Sequence, residues 1–154
     1  MNVKDTARRQ HVRIADGAAQ QLSGIRKPPE GWLTTLRKAL GMSGAEVAQR
    51  LGLSRNAIYQ AERNERDNAI TLSQMEKIAE AMGCAFVYAV IPKGSVEEVV
   101  QAQALRKAEA RIRRASTHMA LEQQALSKVQ TEERIKALAA ELMRDMPPDF
   151  WRDP

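Results

Sequence analysis

Three helix-start signals packed into about thirty residues constrain this chain more than any other feature. Met42-Ser43-Gly44-Ala45-Glu46-Val47 places Ser43 at an N-cap, with Glu46 three residues on to complete a capping box. Met42 and Val47 stand where a hydrophobic staple would put them. Leu53-Ser54-Arg55-Asn56-Ala57-Ile58 repeats the design with Ser54 as cap and no Glu. Ile70-Thr71-Leu72-Ser73-Gln74-Met75 has Thr71 as cap and Gln74 to complete its box. Each cap satisfies otherwise unpaired amides and is worth about 1 kcal/mol. Trp32–Leu40 supplies a helix before the three.

The first interval is the informative one. A helix over 44–51 stops at Gly52, which takes positive φ easily, and the next starts two residues later. Two short helices joined by a tight Gly-containing turn are a helix-turn-helix. Val47, Ala48, Leu51, Leu53, Ile58 and Ala61 are the expected interior. Faces of Trp32, Leu33, Leu36 and Leu40, and of Leu72, Met75, Ile78, Ala79 and Met82, are expected to close the core around them.

With Ile58 and Ala61 inward, the second helix turns Arg55, Asn56, Tyr59, Gln60 and Arg63 outward. The N-terminal residues of such a helix reach base edges in the major groove. Arg55 suits guanine, and Asn56 or Gln60 suits adenine, by bidentate pairing. Arg63 and Lys38 are placed for phosphates, Ser43 with the amides opening helix 44–51 is a further phosphate position, and Ser54 at the start of the second helix counts with the DNA-binding residues.

Charge agrees with a nucleic-acid partner. The chain has 154 residues with 24 Lys and Arg against 19 Asp and Glu, a net charge of +5. Residues 131–154 carry four basic and six acidic groups, so the acidic end masks a more basic body. The single cysteine, Cys84, excludes an internal disulfide and a multi-cysteine metal site, and fits a cytoplasmic location. No run approaches the ~20 apolar residues of a membrane span, and the charged N-terminus lacks a secretory apolar segment. No cofactor is expected. Enzyme signatures such as a Gly-rich phosphate loop are missing, and His118 with Glu122 gives at most two metal ligands.

The outer segments extend this plan. Residues 1–30 read as a helix followed by a Pro-rich linker, and 31–83 as the helix-turn-helix domain. Residues 84–92 contain the one good strand signal, Cys84-Ala-Phe-Val-Tyr-Ala-Val-Ile before Pro92. A lone strand leaves its amides and carbonyls unpaired, so pairing with the same strand of a second chain through Phe86, Val87, Tyr88 and Val90 is expected, giving a homodimer. Pairing within the chain is the alternative. Residues 93–154 read as a helical extension opened by a capping box at Ser95. Arg106, Lys107, Arg111, Arg113 and Arg114 either contact phosphates or solvate their helix. The stripe Ile135, Leu138, Ala139, Leu142, Met143 and Met146 fits an internal core, a dimer interface or a helix-in-groove contact.

The stretch from Leu36 to Glu65 (LRKALGMSGAEVAQRLGLSRNAIYQAERNE), followed by Thr71-Leu72 and Lys77-Ile-Ala-Glu-Ala-Met-Gly83, resembles the XRE (Cro/phage-repressor-type) helix-turn-helix family. The resemblance implies an all-α, lambda-repressor-like domain, here with one short dimerising β-strand and helical extensions at both ends. It implies binding to double-stranded operator DNA as a transcriptional regulator, and pairing of Arg37 with Glu62. Such a pair, partly exposed, stabilises by roughly 0–1 kcal/mol. Where this chain has Gly44, many members carry Gln, so a side-chain phosphate contact is missing.

The whole chain further resembles the family labelled "mobile mystery protein A", XRE-type proteins encoded beside a Fic-domain partner. Asp5-Thr-Ala-Arg-Arg-Gln, Pro28-Pro-Glu-Gly-Trp, Met75-Glu-Lys with Ala81-Met-Gly-Cys, and Arg114-Ala-Ser-Thr-His-Met-Ala-Leu-Glu122 carry that match. It implies an autorepressor and antitoxin restraining a Fic-type AMP-transferase, or alternatively an inhibitor for which DNA binding is secondary. Fic antitoxins commonly use a Ser/Thr-x-x-x-Glu-Gly/Asn helix. Ser116 and Thr117 precede Glu122 by six and five residues, which is not that spacing, so Ser116, Thr117, His118 and Glu122 are partner-contact candidates on resemblance alone.

Overall fold

The computed structural model describes residues 2–121 and 127–154, with side chains described for 2–118 and 127–154. Among these residues the chain forms seven α-helices and no strand: α1 Val3–Leu22, α2 Trp32–Ala39, α3 Gly44–Leu51, α4 Arg55–Arg66, α5 Leu72–Ala81, α6 Val96–Leu121 and α7 Lys128–Asp145. They belong to two compact units, Gly24–Ala89 and Met1–Ser23 with Val90–Pro154.

In Gly24–Ala89, start and stop signals are both in the sequence. Ser43, Ser54 and Thr71 accept hydrogen bonds from the amides of Glu46, Ala57 and Gln74. At Ser43 the capping box is complete. At the other ends α2 to α5 share one stop. The amides of Met42, Leu53, Ala69 and Cys84 bond the carbonyls of Arg37, Ala48, Asn64 and Ala79, five residues back. In each case the preceding residue bonds three back, which is the Schellman pattern. Gly41, Gly52, Asn68 and Gly83 supply the left-handed residue it requires. This stop is what lets α4 begin so soon after α3.

Leu33, Val47, Ala48, Ile58, Ala61, Met75, Ile78 and Met82 form the buried core, with Leu36 and Leu51 against it. Trp32, Leu40, Leu53 and Leu72 are instead substantially exposed. The α2 phase that buries Leu33 and half-buries Leu36 leaves Trp32 and Leu40 at the flank, and Leu53 and Leu72 sit beside the caps at turns. Thr34 is buried in α2, and its hydroxyl has no hydrogen-bond partner among the described residues.

The expected strand at 84–91 does not form. A strand exists only through its ladder, and no described segment of this chain runs beside it to pair. Cys84 and Phe86 instead turn into the helical core, while Val87 and Tyr88 remain 74% and 71% exposed and Val90 94%. Phe86, expected at a dimer face, is thereby partly used by the chain's own core; Tyr88 stacks on it with ring centres 6.0 Å apart.

In the second unit, α6 and α7 share a core of Val100, Ala104, Ala108, Ala139, Leu142 and Phe150, with Ile135, Leu138, Met143 and Met146 against it. The α7 stripe is therefore internal packing. Ser95 and Glu98 form the expected capping box, and the Asp16 carboxylate of α1 accepts from the Val96 amide at 2.8 Å, a second cap on α6. The C-terminal turn is fastened by Gln103, whose Nε2 donates to the Phe150 carbonyl at 2.7 Å, and by Lys107, which donates to the Asp149 carbonyl. No described helix is long and apolar enough to cross a membrane.

Candidate nucleic-acid interface

The face of α4 opposite its buried residues is polar and open. Ile58, Ala61, Glu62 and Glu65 are buried, which turns Arg55, Asn56, Gln60 and Arg63 to solvent. At the N-terminal turn, the Arg55 and Asn56 side chains make no hydrogen bond or ion pair with any described residue. Further along, Arg63 donates to Gln60 Oε1 at 2.8 Å, and Gln60 Nε2 donates to Asn64 at 2.9 Å. These bonds engage the side chains of the second turn with one another, while those of Arg55 and Asn56 have no such partner among the described residues.

Tyr59 lies elsewhere. It is half-buried, its ring covers Gly44, and the Arg37 guanidinium sits 5.5 Å from the ring centre. A Cβ at position 44 would come within 2.7 Å of the ring and 2.9 Å of the hydroxyl. Gly44 is thus the residue that makes room for Tyr59. Ser43 Oγ accepts from the Glu46 amide and donates to its carboxylate at 2.9 Å, and Ser54 Oγ accepts from Ala57 N at 3.2 Å. Both serines act as caps. Lys38 is exposed and paired with Glu30 at 3.1 Å.

The far end of α4 is anchored to α2 by two buried carboxylates. Glu62 accepts from Arg37 Nε at 2.5 Å and from its NH2 group at 3.3 Å. The pair is 12% and 5% exposed, more buried than the partly exposed pair that the resemblance implied. The hydrogen bond to Glu62 outweighs desolvation and raises the Arg37 pKa further above its ordinary value. Arg37 also donates to the Met42 carbonyl at 3.1 Å, tying the α2–α3 turn into the same cluster.

Glu65 is the residue sequence reasoning missed. Its two oxygens accept from the amides of Trp32 and Leu33. Gly31 caps α2 without a side chain, so a carboxylate from another helix fills the role. A Cβ on Gly31 would lie 2.9 Å from that carboxylate. The signal was available: Ile58, Ala61, Glu62 and Glu65 share one helical phase, and acids at core positions need buried partners.

The other candidates are less concentrated. Lys107 and Arg111 share Asp149, Arg113 pairs with Glu109, and Arg106 donates to Gln103, so much of the basic stretch on α6 is neutralised or held internally. Ser116, Thr117 and His118 lie on α6; Thr117 donates to the Arg113 carbonyl at 3.0 Å. Glu122 lies outside the described residues.

Residues 33–88 match a family model described as helix-turn-helix, which supports the XRE-type assignment for this unit. No curated protein and no solved structure is significantly similar to the chain.

Proposed function

We propose that Gly24–Ala89 binds duplex DNA with α4 in the major groove, and that the protein is a sequence-specific transcriptional regulator repressing its own promoter. One observation supports this above the others. Arg55 and Asn56 are exposed and unengaged at the N-terminal turn of a helix whose opposite end is held by two buried glutamates. That is a readable edge on a rigid mount. Arg55 reads guanine, Asn56 and Gln60 read adenine, and Arg63 and Lys38 meet phosphates. Tyr59 acts by packing, and Ser43 and Ser54 by holding the helix starts.

Gel-shift titration of the protein on its own upstream sequence, against random duplex at moderate salt, tests this. A preferred site is expected. Equal binding to both overturns the reading.

A two-fold dimer would let two copies of α4 read half-sites one helical turn apart. Val87, Tyr88 and Val90 are the exposed apolar positions for it, paired strand to strand with the second copy. Sedimentation at micromolar concentration is expected to give a dimer, and a monomer with Val87→Lys and Tyr88→Lys together.

The sequence resemblance supports a second role, restraint of a Fic-domain AMP-transferase, or that role as the main one with DNA binding secondary. Thr117 and His118 are exposed on α6 in the segment that carries the resemblance. Deleting residues beyond about 114 is expected to release such an enzyme while operator binding survives.

A further inference from the structure

The unit formed by α1, α6 and α7 contains a cleft of about 410 Å³. Its apolar lining comes from three helices: Val12 of α1, Val96 and Val100 of α6, and Met143 of α7. Arg8, Arg9 and Arg13 of α1, with Glu97 of α6, make up the charged lining. Val100 is buried and the other apolar residues are half-buried, while all four charged residues are exposed. Apolar walls with a few polar groups at the mouth, enclosing this volume, are what a small-molecule site provides.

The arginine charge is not consumed inside the protein. None of the three side chains makes a hydrogen bond or ion pair with any described residue, whereas Lys107, Arg111 and Arg113 of the same unit are each paired with a carboxylate. Arg9 and Arg13 stand four residues apart on α1, so their side chains rise from neighbouring turns on one face. Like charges at that spacing weaken a helix. An anion between them removes that repulsion and accepts charge-assisted hydrogen bonds from both guanidinium groups.

We infer that this cleft binds a metabolite-sized organic anion, its carboxylate or phosphate head held between Arg9 and Arg13 and its apolar body against Val12, Val100 and Met143. Bare phosphate, or the backbone of DNA, would leave those apolar walls without a contact. Glu97 disfavours a second acidic group on the α6 side, so the ligand carries its charge at one end. This assignment is independent of what α4 recognises.

The test titrates the full-length chain with octanoate, octyl phosphate and octanol, following the methyl resonances of Val12, Val96, Val100 and Met143. Saturable shifts are expected with at least one anion, at a Kd below about 1 mM. The stronger anion identifies the head group. Octanol is expected to bind at least roughly tenfold more weakly, the cost of losing charge-assisted hydrogen bonds. Arg9→Gln with Arg13→Gln is expected to reduce the anions to the level of octanol without lowering the melting temperature, since it also removes the like-charge pair. Val12→Phe, which fills the cleft and spares the arginines, is expected to abolish binding of all three. The proposal is overturned if no probe saturates by about 10 mM, if octanol matches the anions, or if the double variant binds like the parent. It is equally overturned if these methyls respond only to a 20-base-pair duplex, or only to an acidic peptide.

Discussion

Glu65, at the far end of α4, caps the start of α2 at Trp32. One carboxylate oxygen lies 2.7 Å from the Trp32 amide and the other 2.8 Å from that of Leu33. Lys27 reinforces the junction by donating to the Glu65 carbonyl at 2.8 Å. Two amides at a helix start prefer a negative acceptor, through both hydrogen bonding and the helix dipole. Glu65→Ala leaves both amides unpaired in a buried place, and Glu65→Gln turns an N–H₂ toward one of them. Each is expected to destabilise the unit by about 1.5–3 kcal/mol in urea unfolding, the range for hydrogen bonds to a charged group. A loss below ~0.5 kcal/mol for Glu65→Ala would show that the cap contributes little.

Gly44 and Tyr59 form a matched pair, and a double-mutant cycle reads the match. Gly44→Ala alone drives a Cβ into the ring, which must leave Gly44 and its place beside Arg37. Overpacking of this kind costs about 1–3 kcal/mol. In a Tyr59→Ala background the same substitution is relieved of its three nearest contacts and gains the helix preference of Ala over Gly, about 0.5–1 kcal/mol. The effect of Gly44→Ala should therefore change sign between the two backgrounds. Additive effects would mean that the ring does not depend on the glycine.

Arg55 and Arg63 are both exposed on α4 and should behave differently on DNA. Arg55→Ala removes a base contact, with an expected cost of about 1–3 kcal/mol on the preferred site and relaxed choice at one position. Arg63→Ala, together with the Gln60 it holds, sits further along the helix. Its loss should weaken preferred and random duplexes alike and reduce the salt slope by about one. Competition binding at several salt concentrations separates the two patterns. Reversed patterns would assign the reading role to the middle of the helix.

Thr34 is isosteric with valine and has a buried hydroxyl with no hydrogen-bond partner among the described residues. Leaving such a group unsatisfied costs about 1–3 kcal/mol. Thr34→Val should therefore raise the urea midpoint of the Gly24–Ala89 unit, with no change in DNA binding. A lowered midpoint would show that the hydroxyl has a partner in solution.

How much of this was legible in the sequence depended on the range of the signal. The caps at Ser43, Ser54 and Thr71 and the stop at Gly52 act within four or five residues, so pattern alone located α3, α4 and α5. The inward positions Val47, Ile58 and Met75 followed from helical period. Exposure of Leu53 and Leu72 did not, because they flank the caps Ser54 and Thr71 at helix starts, where helical period alone does not fix burial. The strand at 84–91 is not seen in the single chain: β-branched composition describes what a strand would tolerate, but a ladder needs a second segment, and no described part of this chain supplies one. Glu65 was missed because its partners are 32 and 33 residues away. The internal role of Lys107, left open between phosphate contact and helix solvation, is not legible because its acceptor lies 42 residues on, at Asp149.

That last contact makes an acid-sensitive latch. Lys107 is nearly buried, and its ammonium lies 3.5 Å from the Asp149 carboxylate while also donating to the Asp149 carbonyl. The charge of Lys107, with a smaller contribution from Arg111, holds the Asp149 carboxyl below its ordinary pKa. The folded state therefore binds fewer protons than the unfolded state between the two pKa values. Stability from this pair is fully present above the unfolded value, and is lost as pH falls through the folded one. Thermal melts of the α1, α6 and α7 unit, read from Trp151 in a Trp32→Phe background, should fall as pH drops through and below the ordinary carboxylate range. Asp149→Asn should melt lower at neutral pH, where Lys107 then keeps only the backbone carbonyl. The gap between the two proteins should close in acid, and it should shrink in high salt because the carboxylate is exposed. A gap that persists unchanged below the folded pKa would mean that Asp149 stabilises the turn by shape and not by charge.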